Sequence, residues 1–252
     1  MAAAPGAEIV VPPGRYYGGL VLDRSNVVVK ASGAHLTDIV DGKAALVITG
    51  DNVTIEGLEI SLNGPFSENE ACIRFEGRNL VLRRIHCHDT QMGYLGGGES
   101  GNGEVVIENS LFERTGISGR AALGHAIYAF STGRVGPGDS LVVRGTTIRD
   151  FGVVRPGHGI KSRAPRNTIA GNVIAGLDAH AARSIDLSNG GVNLIEGNVF
   201  QTGRNADNSD MIGIALERND TTGYHPGRTT IRSNVFLSDR DGASYAVNGR
   251  VD

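Results

Sequence analysis

The sequence predicts one all-β domain over residues 1–252, a single-stranded right-handed parallel β-helix of about nine coils with three short strands in each coil. Three observations predict this fold. Short apolar segments recur with a period near 26 residues. Thirty-seven glycines and frequent Asn, Asp, Ser and Thr indicate many tight turns. No segment shows apolar residues at the 3.6-residue spacing of an amphipathic helix, which argues against an α/β fold.

The repeat consists of two or three apolar or β-branched residues, a short polar pair and a second apolar pair, as in VTIEGLEI at residues 53–60. The central apolar residues of eight copies are Val29, Ile55, Leu82, Ile107, Val143, Ile169, Ile195 and Ile231. The steps between them are 26, 27, 25, 36, 26, 26 and 36 residues. A step near 26 fits one coil of a solenoid and is too short for a propeller blade. The two long steps place insertions near residues 131–140 and 218–229, which favours functional loops on one side.

A further strand precedes most copies by about nine residues, and we call it the leading strand of the coil. Its predicted centres are Leu20, Leu46, Ile73, Leu95, Ile127, Ile160, Ile185, Ile214 and Val247. The two strands of the repeat are then the middle and trailing strands, and the polar pair between them predicts a tight bend. Asn172, Asn198 and Asn234 occupy equivalent bend positions. Because neighbouring strands lie about 4.8 Å apart, we expect these side chains to hydrogen-bond along the solenoid.

Composition and charge argue against nucleic acid and membrane as partners and leave the location open. A net charge of −3 and a pI near 6.2 give no electrostatic basis for binding nucleic acid. No run of eighteen apolar residues exists, so no membrane span is expected. Residues 1–5 lack the charged and apolar regions of a secretion signal, so the protein is either cytoplasmic or has lost its signal. Cys72 and Cys87 could form a disulfide, but two buried free thiols are the expectation.

The segment NVTIEGLEI at residues 52–60, the bend asparagines and the opening AEIVVPPGRY at residues 7–16 resemble the pectate-lyase-like right-handed β-helix superfamily. The resemblance covers nearly the whole chain. It implies a polysaccharide partner, a groove over the sheet of leading strands, and an extracellular or periplasmic location. It does not select a reaction, because that superfamily includes lyases, hydrolases, epimerases, esterases and phage tailspikes.

Side chains alternate across a strand, so the residue after each inward isoleucine of a leading strand is predicted to face outward. Tyr128, Lys161 and Asp186 then form one column on successive coils of an exposed flank. A second outward column holds Phe130, Arg163, Ser188 and Glu217. These columns lie within the densest polar segments of the chain, which favours a functional site. Lys161 and Asp186 could instead be an ordinary surface ion pair.

Given the resemblance, the expected reaction is β-elimination on a polymer that contains uronic acid, which would make the protein a polysaccharide lyase. This reaction needs a base for the proton α to the carboxylate and a cation that neutralises the carboxylate. Lys161 is the candidate base, Arg163 the neutralising cation, and Tyr128 a proton donor or a platform for the sugar. Asp186 completes the catalytic set, although its charge opposes loss of the Lys161 proton, and the reverse assignment of Lys161 and Arg163 stays open. The candidate substrate-binding residues are His125, His158, Arg183, Asn189 and Glu217.

Two other functions remain open. Asp186 and Glu217, one coil and two residues apart, would be separated by about 8 Å. That separation suits an inverting glycoside hydrolase, whose carboxyl groups lie roughly 6.5–9.5 Å apart. The same face could instead bind a polysaccharide without chemistry, or the solenoid could be purely structural. His125 and His158 share the inward parity of the isoleucines, so a structural role for them is as well founded as a catalytic one.

No metal site or cofactor is predicted. Calcium serves many lyases of this shape, and oxygen-rich segments occur at residues 99–102 and 207–210, but neither has the spacing of a calcium-binding loop. We expect both to be ordinary turns. His86 and His88 share one face of a strand and Cys87 the other, so no compact zinc site is expected from this triplet.

The ends of the predicted solenoid would expose its core and its strand edges. No amphipathic helix precedes the first coil, and the segment that begins at Tyr245 does not complete another coil. We therefore expect the ends to be capped by a partner subunit in a homo-oligomer, by a loop of the chain itself or by a flanking segment.

Overall fold

The computed structural model of the protein describes residues 6–62, 64, 66, 70–99, 101–118, 124–217 and 225–250. Within these residues the chain forms 27 short strands and no helix. The strands make three parallel sheets of nine strands each, and each strand pairs with its counterparts in the adjacent coils. This is the right-handed parallel β-helix of nine coils that the repeat predicts. Of the predicted insertion at 218–229, residues 218–224 lie outside the described residues.

Each sheet collects one strand from every coil. The leading sheet contains Leu20–Leu22, Ala44–Ile48, Ala71–Phe75, Met92–Gly96, Ile127–Ala129, Ile160–Ser162, Ile185–Leu187, Asp210–Ile214 and Tyr245–Gly249. The middle sheet contains Glu8–Val10, Val27–Lys30, Val53–Glu56, Leu80–Arg83, Glu104–Glu108, Ser140–Arg144, Arg166–Ala170, Val192–Glu196 and Thr229–Arg232. The trailing sheet contains Gly14–Tyr16, Ala34–Leu36, Glu59–Ser61, His86–Thr90, Leu111–Thr115, Thr147–Phe151, Val173–Ala175, Val199–Thr202 and Val235–Ser238.

The register of the middle sheet is the predicted one. All eight predicted centres are paired neighbours, from Val29 opposite Ile55 to Ile195 opposite Ile231. Seven of them are buried in one continuous core, and Ile231 packs against it. Since apolar side chains at alternate positions all face this core, the sequence pattern specifies the register strongly.

The leading sheet departs from the prediction at two coils. Tyr94 rather than Leu95 is paired with the core isoleucines of the adjacent coils, and it is fully buried. Ile212 rather than Ile214 pairs with Ile185. Both predicted centres were therefore wrong, by one and by two residues.

The reason is the variable segment between the leading and middle strands. It spans residues 188–191 in one coil and residues 97–103 in another. The bend between the middle and trailing strands is short in both of these coils. Counting back from a middle strand therefore misplaces a leading strand, whereas counting forward locates a trailing strand correctly.

Cys72 and Cys87 form a disulfide, with their Cα atoms 6.1 Å apart. The expectation of two free thiols was therefore wrong. Cys72 lies on a leading strand and Cys87 on the trailing strand of the same coil, and both side chains are fully buried. Strand alternation could not reveal the pairing, because Cys72 and its neighbour Ile73 both pack into the core. The bond crosses the interior of one coil and joins two sheets.

The bend asparagines form the predicted ladder. Nδ2 of Asn172 donates to Oδ1 of Asn198 at 2.9 Å, and Nδ2 of Asn198 donates to Oδ1 of Asn234 at 3.0 Å. The preceding residues Gly171 and Gly197 both have φ of +64°, a left-handed conformation that glycine adopts without steric cost. The ladder satisfies polar groups at each bend and holds successive coils in register.

The two ends of the solenoid are open to different degrees. At the N-terminal end, the core opens into an apolar cavity of about 400 Å³ whose lining includes Ile9, Tyr16 and Leu20. At the other end, every residue of the strand Tyr245–Gly249 is exposed. A capping partner, whether a homo-oligomer or a flanking segment, stays a prediction. No helix long and apolar enough to cross a membrane is found in the described part of the chain.

Candidate functional site

Three predicted site residues lie side by side on the leading sheet. Tyr128 is opposite Lys161, and Lys161 is opposite Asp186, so the predicted column is confirmed. The intervening isoleucines pack in the core, and the column faces away from it. However, Lys161 is 5% exposed and Asp186 is 0% exposed. The expected open flank is thus a recessed cluster.

Arg163 is the centre of this cluster. Its Nε donates to the hydroxyl oxygen of Tyr128 at 3.1 Å, its Nη1 to Oδ1 of Asn189 at 2.8 Å, and its Nη2 to Oε2 of Glu217 at 2.7 Å. One guanidinium therefore fixes side chains from three different coils. Phe130, predicted to lie beside it, instead packs in the core, because its φ of +59° breaks the strand alternation.

Glu217 reaches the cluster by a route that the sequence did not predict. The residue opposite Asp186 is Gly213, so Glu217 lies in the turn beyond that strand and not in the second outward column. From there Oε1 accepts a hydrogen bond from Lys161 Nζ at 2.5 Å. A carboxyl oxygen of Glu217 lies within 4.8 Å of one from Asp186. The predicted separation of about 8 Å, and with it the geometry of an inverting hydrolase, was wrong.

Asp186 is a buried carboxyl group with incomplete partners. Lys161 Nζ lies 3.7 Å and His158 Nε2 3.3 Å from Oδ2. Neither carboxyl oxygen has a hydrogen-bond partner among the described residues. Burial raises the pKa of Asp186 to about 6, against the opposing charge of Lys161.

The pKa of Glu217 is shifted in the opposite direction. Partial burial favours its neutral form, but the hydrogen bond from Lys161 and the charges of Lys161 and Arg163 hold its pKa below the usual value. The cluster therefore contains two neighbouring carboxyl groups whose pKa values are pushed apart, a pattern that is common in acid–base catalysis.

His125 and His158 stack with their ring centroids 5.0 Å apart and their planes within 4°. The backbone N–H of His158 donates to Nδ1 of His125, and the backbone N–H of Arg183 donates to Nδ1 of His158. Burial lowers the pKa of His125 to about 3 and that of His158 well below its usual value. Both rings are thus neutral, with the proton on Nε2.

The two histidines do not follow the inward parity predicted for them. They lie in the turns that precede the leading strands, where alternation does not apply. The His125 ring meets Tyr128 edge-on at 5.1 Å, and His158 approaches Asp186. The inward prediction was wrong, and both residues belong to the cluster.

Arg183 lies at the edge of the cluster. Its guanidinium forms an ion pair with Asp210 one coil further along, beside Gly213. Its backbone N–H contributes to the site by fixing the His158 ring. A contact with substrate through its side chain stays a prediction.

His225 joins the site without any signal in the repeat. Its backbone N–H donates to the carbonyl of Asn189, and its ring hydrogen-bonds the main chain of Arg163. Nε2 of His225 and Oγ of Ser188 are buried without a hydrogen-bond partner in the described ranges. Buried polar atoms are nearly always paired in folded proteins, so these atoms and the Asp186 oxygens are available to a polar ligand.

The cluster is a poor metal site despite its composition. His158, Asp186 and Glu217 each place one potential ligand atom within 4.8 Å of the others. Yet Nδ1 of His158 accepts a backbone hydrogen bond, so its Nε2 carries a proton and offers no lone pair toward the carboxylates. Of the two oxygen-rich segments, Ser100 lies outside the described residues. Asp207 and Asp210 contact His180 and Arg183.

No protein-family model matches the chain, and no curated protein matches it significantly. Among solved structures, the chain is similar to the A-module of mannuronan C-5 epimerase AlgE4 from Azotobacter vinelandii. The match has 13% sequence identity and a TM-score of 0.30, and it covers 98% of this chain and 91% of the A-module. Similarity at this level carries no argument about activity.

Proposed function

We propose that the protein cleaves a polysaccharide containing uronic acid by β-elimination, using the cluster of Tyr128, Lys161, Arg163, Asp186 and Glu217. One observation carries the proposal. A carboxylate, that of Glu217, bridges Lys161 Nζ and Arg163 Nη2 next to the carboxyl group of Asp186, whose oxygens have no hydrogen-bond partner among the described residues.

The bridging carboxylate marks an anion subsite. The Glu217 side chain is 38% exposed, whereas those of Lys161 and Arg163 are 6% and 10% exposed. A substrate carboxylate arriving from solvent can therefore replace Glu217 between the two cations. Two fixed positive charges would then stabilise the negative charge that develops on a uronate as its α-proton leaves.

In this proposal Asp186 takes the proton from the carbon α to the carboxylate. The electron pair of that C–H bond moves into the carboxylate held by Lys161 and Arg163. It then forms the carbon–carbon double bond as the β glycosidic C–O bond breaks, and the Tyr128 hydroxyl protonates the leaving oxygen. The products are a shortened polymer and a chain that begins with an unsaturated uronate.

Asp186 replaces Lys161 as the proposed base. Lys161 Nζ contacts the carboxylate of Glu217, a neighbour that favours the ammonium form, and an ammonium nitrogen has no lone pair to offer. A carboxyl group with a pKa of about 6 is ionised at neutral pH, and it is a stronger base than an ordinary aspartate. His158 contacts the same carboxyl group and would orient it.

The test is a panel of mannuronate, guluronate, galacturonate and glucuronate polymers, monitored by the ultraviolet absorbance of unsaturated uronates. We expect absorbance to rise with at least one polymer and the rate to fall by about 10²-fold or more in Asp186→Asn. The matched control is Glu196→Gln, which makes the same change to a carboxylate on the middle sheet and should keep the wild-type rate. A protein that leaves every polymer unchanged contradicts the proposal, and binding without product would indicate a non-catalytic module.

A second function, glycoside hydrolysis with retention, is favoured by the pair of carboxyl groups. Asp186 has a raised pKa and Glu217 a lowered one, and their oxygens approach within 4.8 Å, nearer to the separation in retaining than in inverting enzymes. Hydrolysis would release reducing sugar with no rise in ultraviolet absorbance.

The variant Glu217→Gln separates the two functions. If Glu217 only occupies the anion subsite, removing its charge should lower KM for an anionic polymer and leave kcat largely unchanged. If Glu217 takes part in hydrolysis, kcat should collapse instead. Steady-state kinetics on the best polymer decides between these outcomes.

We also propose an extracellular or periplasmic location. The Cys72–Cys87 disulfide supports it, because such bonds persist mainly in oxidising compartments. Fractionation of cells that produce the protein, with detection in each compartment, would test this location.

A further inference from the structure

A second polar cluster lies on the outer face of the trailing sheet, on different coils from the site on the leading sheet. It contains His35, Glu59 and His88, which come from three successive coils. Each offers one potential ligand atom within 4.8 Å of the other two. We propose that these three side chains bind a zinc-class divalent transition-metal ion.

The distances suit such an ion. His88 Nε2 lies 3.2 Å and His35 Nδ1 3.7 Å from the same oxygen, Oε1 of Glu59. In a tetrahedral zinc site with bonds near 2.0–2.1 Å, ligand atoms are about 3.3 Å apart. The three atoms therefore need only small movements to surround one ion.

The Nδ1 atom of His88, which would not bind the ion, contacts a carboxylate, as the remote nitrogen of a histidine ligand does in many metal sites. This Nδ1 lies 2.6 Å from Oδ2 of Asp89, and Nε2 of the same ring lies 3.2 Å from Oε1 of Glu59, and both of these oxygens are acceptors. An ion bound to Nε2 would replace its contact with Glu59 and leave the ring proton on Nδ1. Arg114 holds Asp89 through two contacts of 2.7 Å, and its own approach to Nδ1 is longer, at 3.3 Å. A carboxylate that accepts from the remote nitrogen of a histidine ligand fixes its orientation and strengthens its binding.

His35 has the complementary arrangement. Its Nε2 lies 2.8 Å from Oγ of Ser61, and its Nδ1 lies 3.3 Å from the exposed guanidinium of Arg15, which can only donate. The lone pair of His35 is therefore on Nδ1, the nitrogen nearest Glu59. Arg15 would swing into solvent when an ion binds.

Nδ1 of His35, Nε2 of His88 and a carboxylate oxygen of Glu59 thus converge beside the exposed Arg15. A divalent ion at this point would replace the contacts that Glu59 makes with the two rings. Two histidines and one carboxylate form a ligand set typical of zinc, with a fourth position left for water. His158 differs from His88 at Nδ1, because that atom of His158 accepts a backbone hydrogen bond and the ring proton is therefore fixed on Nε2.

The local triplet His86, Cys87 and His88 does not build this site. Cys87 is sulfur-bonded to Cys72, and His86 Nε2 lies 3.0 Å from Glu113. The partners of His88 come from the two preceding coils. They are brought together by the repeat, which a search for short metal-binding motifs does not detect.

The test is calorimetric titration of the untagged protein with Zn²⁺, repeated with Co²⁺ while visible absorption is recorded. We expect one ion per chain, with binding at least 100-fold weaker in His88→Gln and in Glu59→Gln. Asp89→Asn should weaken it by about 10–100-fold, the usual cost of losing such a partner. Circular dichroism and thermal melting must show that each variant is folded.

Two controls separate this site from other possibilities. His180→Ala removes an exposed histidine that faces Asp207 at 3.5 Å, and Asp186→Asn alters the cluster on the leading sheet. Both should bind one ion as the wild type does. Absence of binding, binding that survives both His88→Gln and Glu59→Gln, or binding that is lost in Asp186→Asn would overturn the proposal.

Discussion

The leading and middle sheets differ in how their charged side chains are paired and buried. On the middle sheet, acidic and basic side chains alternate between adjacent coils, as in Glu196 with Arg232 at 2.6 Å and Glu108 with Arg144 at 2.6 Å. On the leading sheet, Lys161 and Asp186 are also on adjacent coils, but both are buried and the carboxyl group lacks hydrogen bonds from the described residues. The first arrangement keeps a solenoid soluble, whereas the second costs stability.

The contrast supports the proposal that the leading sheet carries the functional site. Burying a carboxyl group without hydrogen bonds is unfavourable unless the group stays neutral or finds a partner. Many paired charges elsewhere on this molecule show that its surface readily provides such partners. The missing hydrogen bonds of Asp186 are therefore what the proposed function leads us to expect, because catalytic groups are often kept at the expense of stability.

The largest effect should come from Asp186→Asn. Burial holds the pKa of Asp186 at about 6 in the folded protein, above its value of about 3.9 in an unfolded chain. Its stabilising contribution is therefore present below about pH 4 and is lost as the pH rises through 6. At pH 7.5 the variant should unfold with a free energy up to about 3 kcal/mol larger than the wild type, with little difference at pH 4. Denaturant titrations at both pH values measure the two free energies of unfolding. If the wild type and the variant were equally stable at pH 7.5, burial of Asp186 would carry no cost and the contrast between the sheets would fail.

A much smaller effect of opposite sign is expected for Glu196→Gln. The side chains of Arg232 and Glu196 are 62% and 33% exposed, so their ion pair is screened by water. Exposed pairs contribute about 0–1 kcal/mol, and we expect a loss of stability in that range. The loss should vanish in about 1 M salt, where the screening length falls to about 3 Å. If the free energy of unfolding fell by more than about 2 kcal/mol and did not depend on salt, the ion pairs of the middle sheet would not be ordinary exposed pairs.

The sequence sufficed for the parts of the fold that repeat with constant length. Short bends separate the middle and trailing strands, so the register from Val29 to Ile231 and the ladder of Asn172, Asn198 and Asn234 followed from counting residues. The column of Tyr128, Lys161 and Asp186 was also predictable, because these three strands pair without a shift.

The remaining parts of the site depend on segments whose length varies. Glu217 was placed in the wrong column because the strand before it is shifted by two residues. His125 and His158 precede their strands, where alternation carries no information, and His225 lies within the insertion predicted at residues 218–229. The burial of Lys161 and Asp186 depends on how loops cover the sheet, which no strand pattern encodes.

The covalent link between Cys72 and Cys87 has a mechanical consequence. A solenoid can fray from either end, because each coil contacts mainly its neighbours. Unravelling from the N-terminal end would stop at the third leading strand, Ala71–Phe75, because the disulfide closes residues 72–87 into a covalent ring. The residues that gather around Arg163 lie beyond that clamp, so loosening of the N-terminal coils need not disturb them.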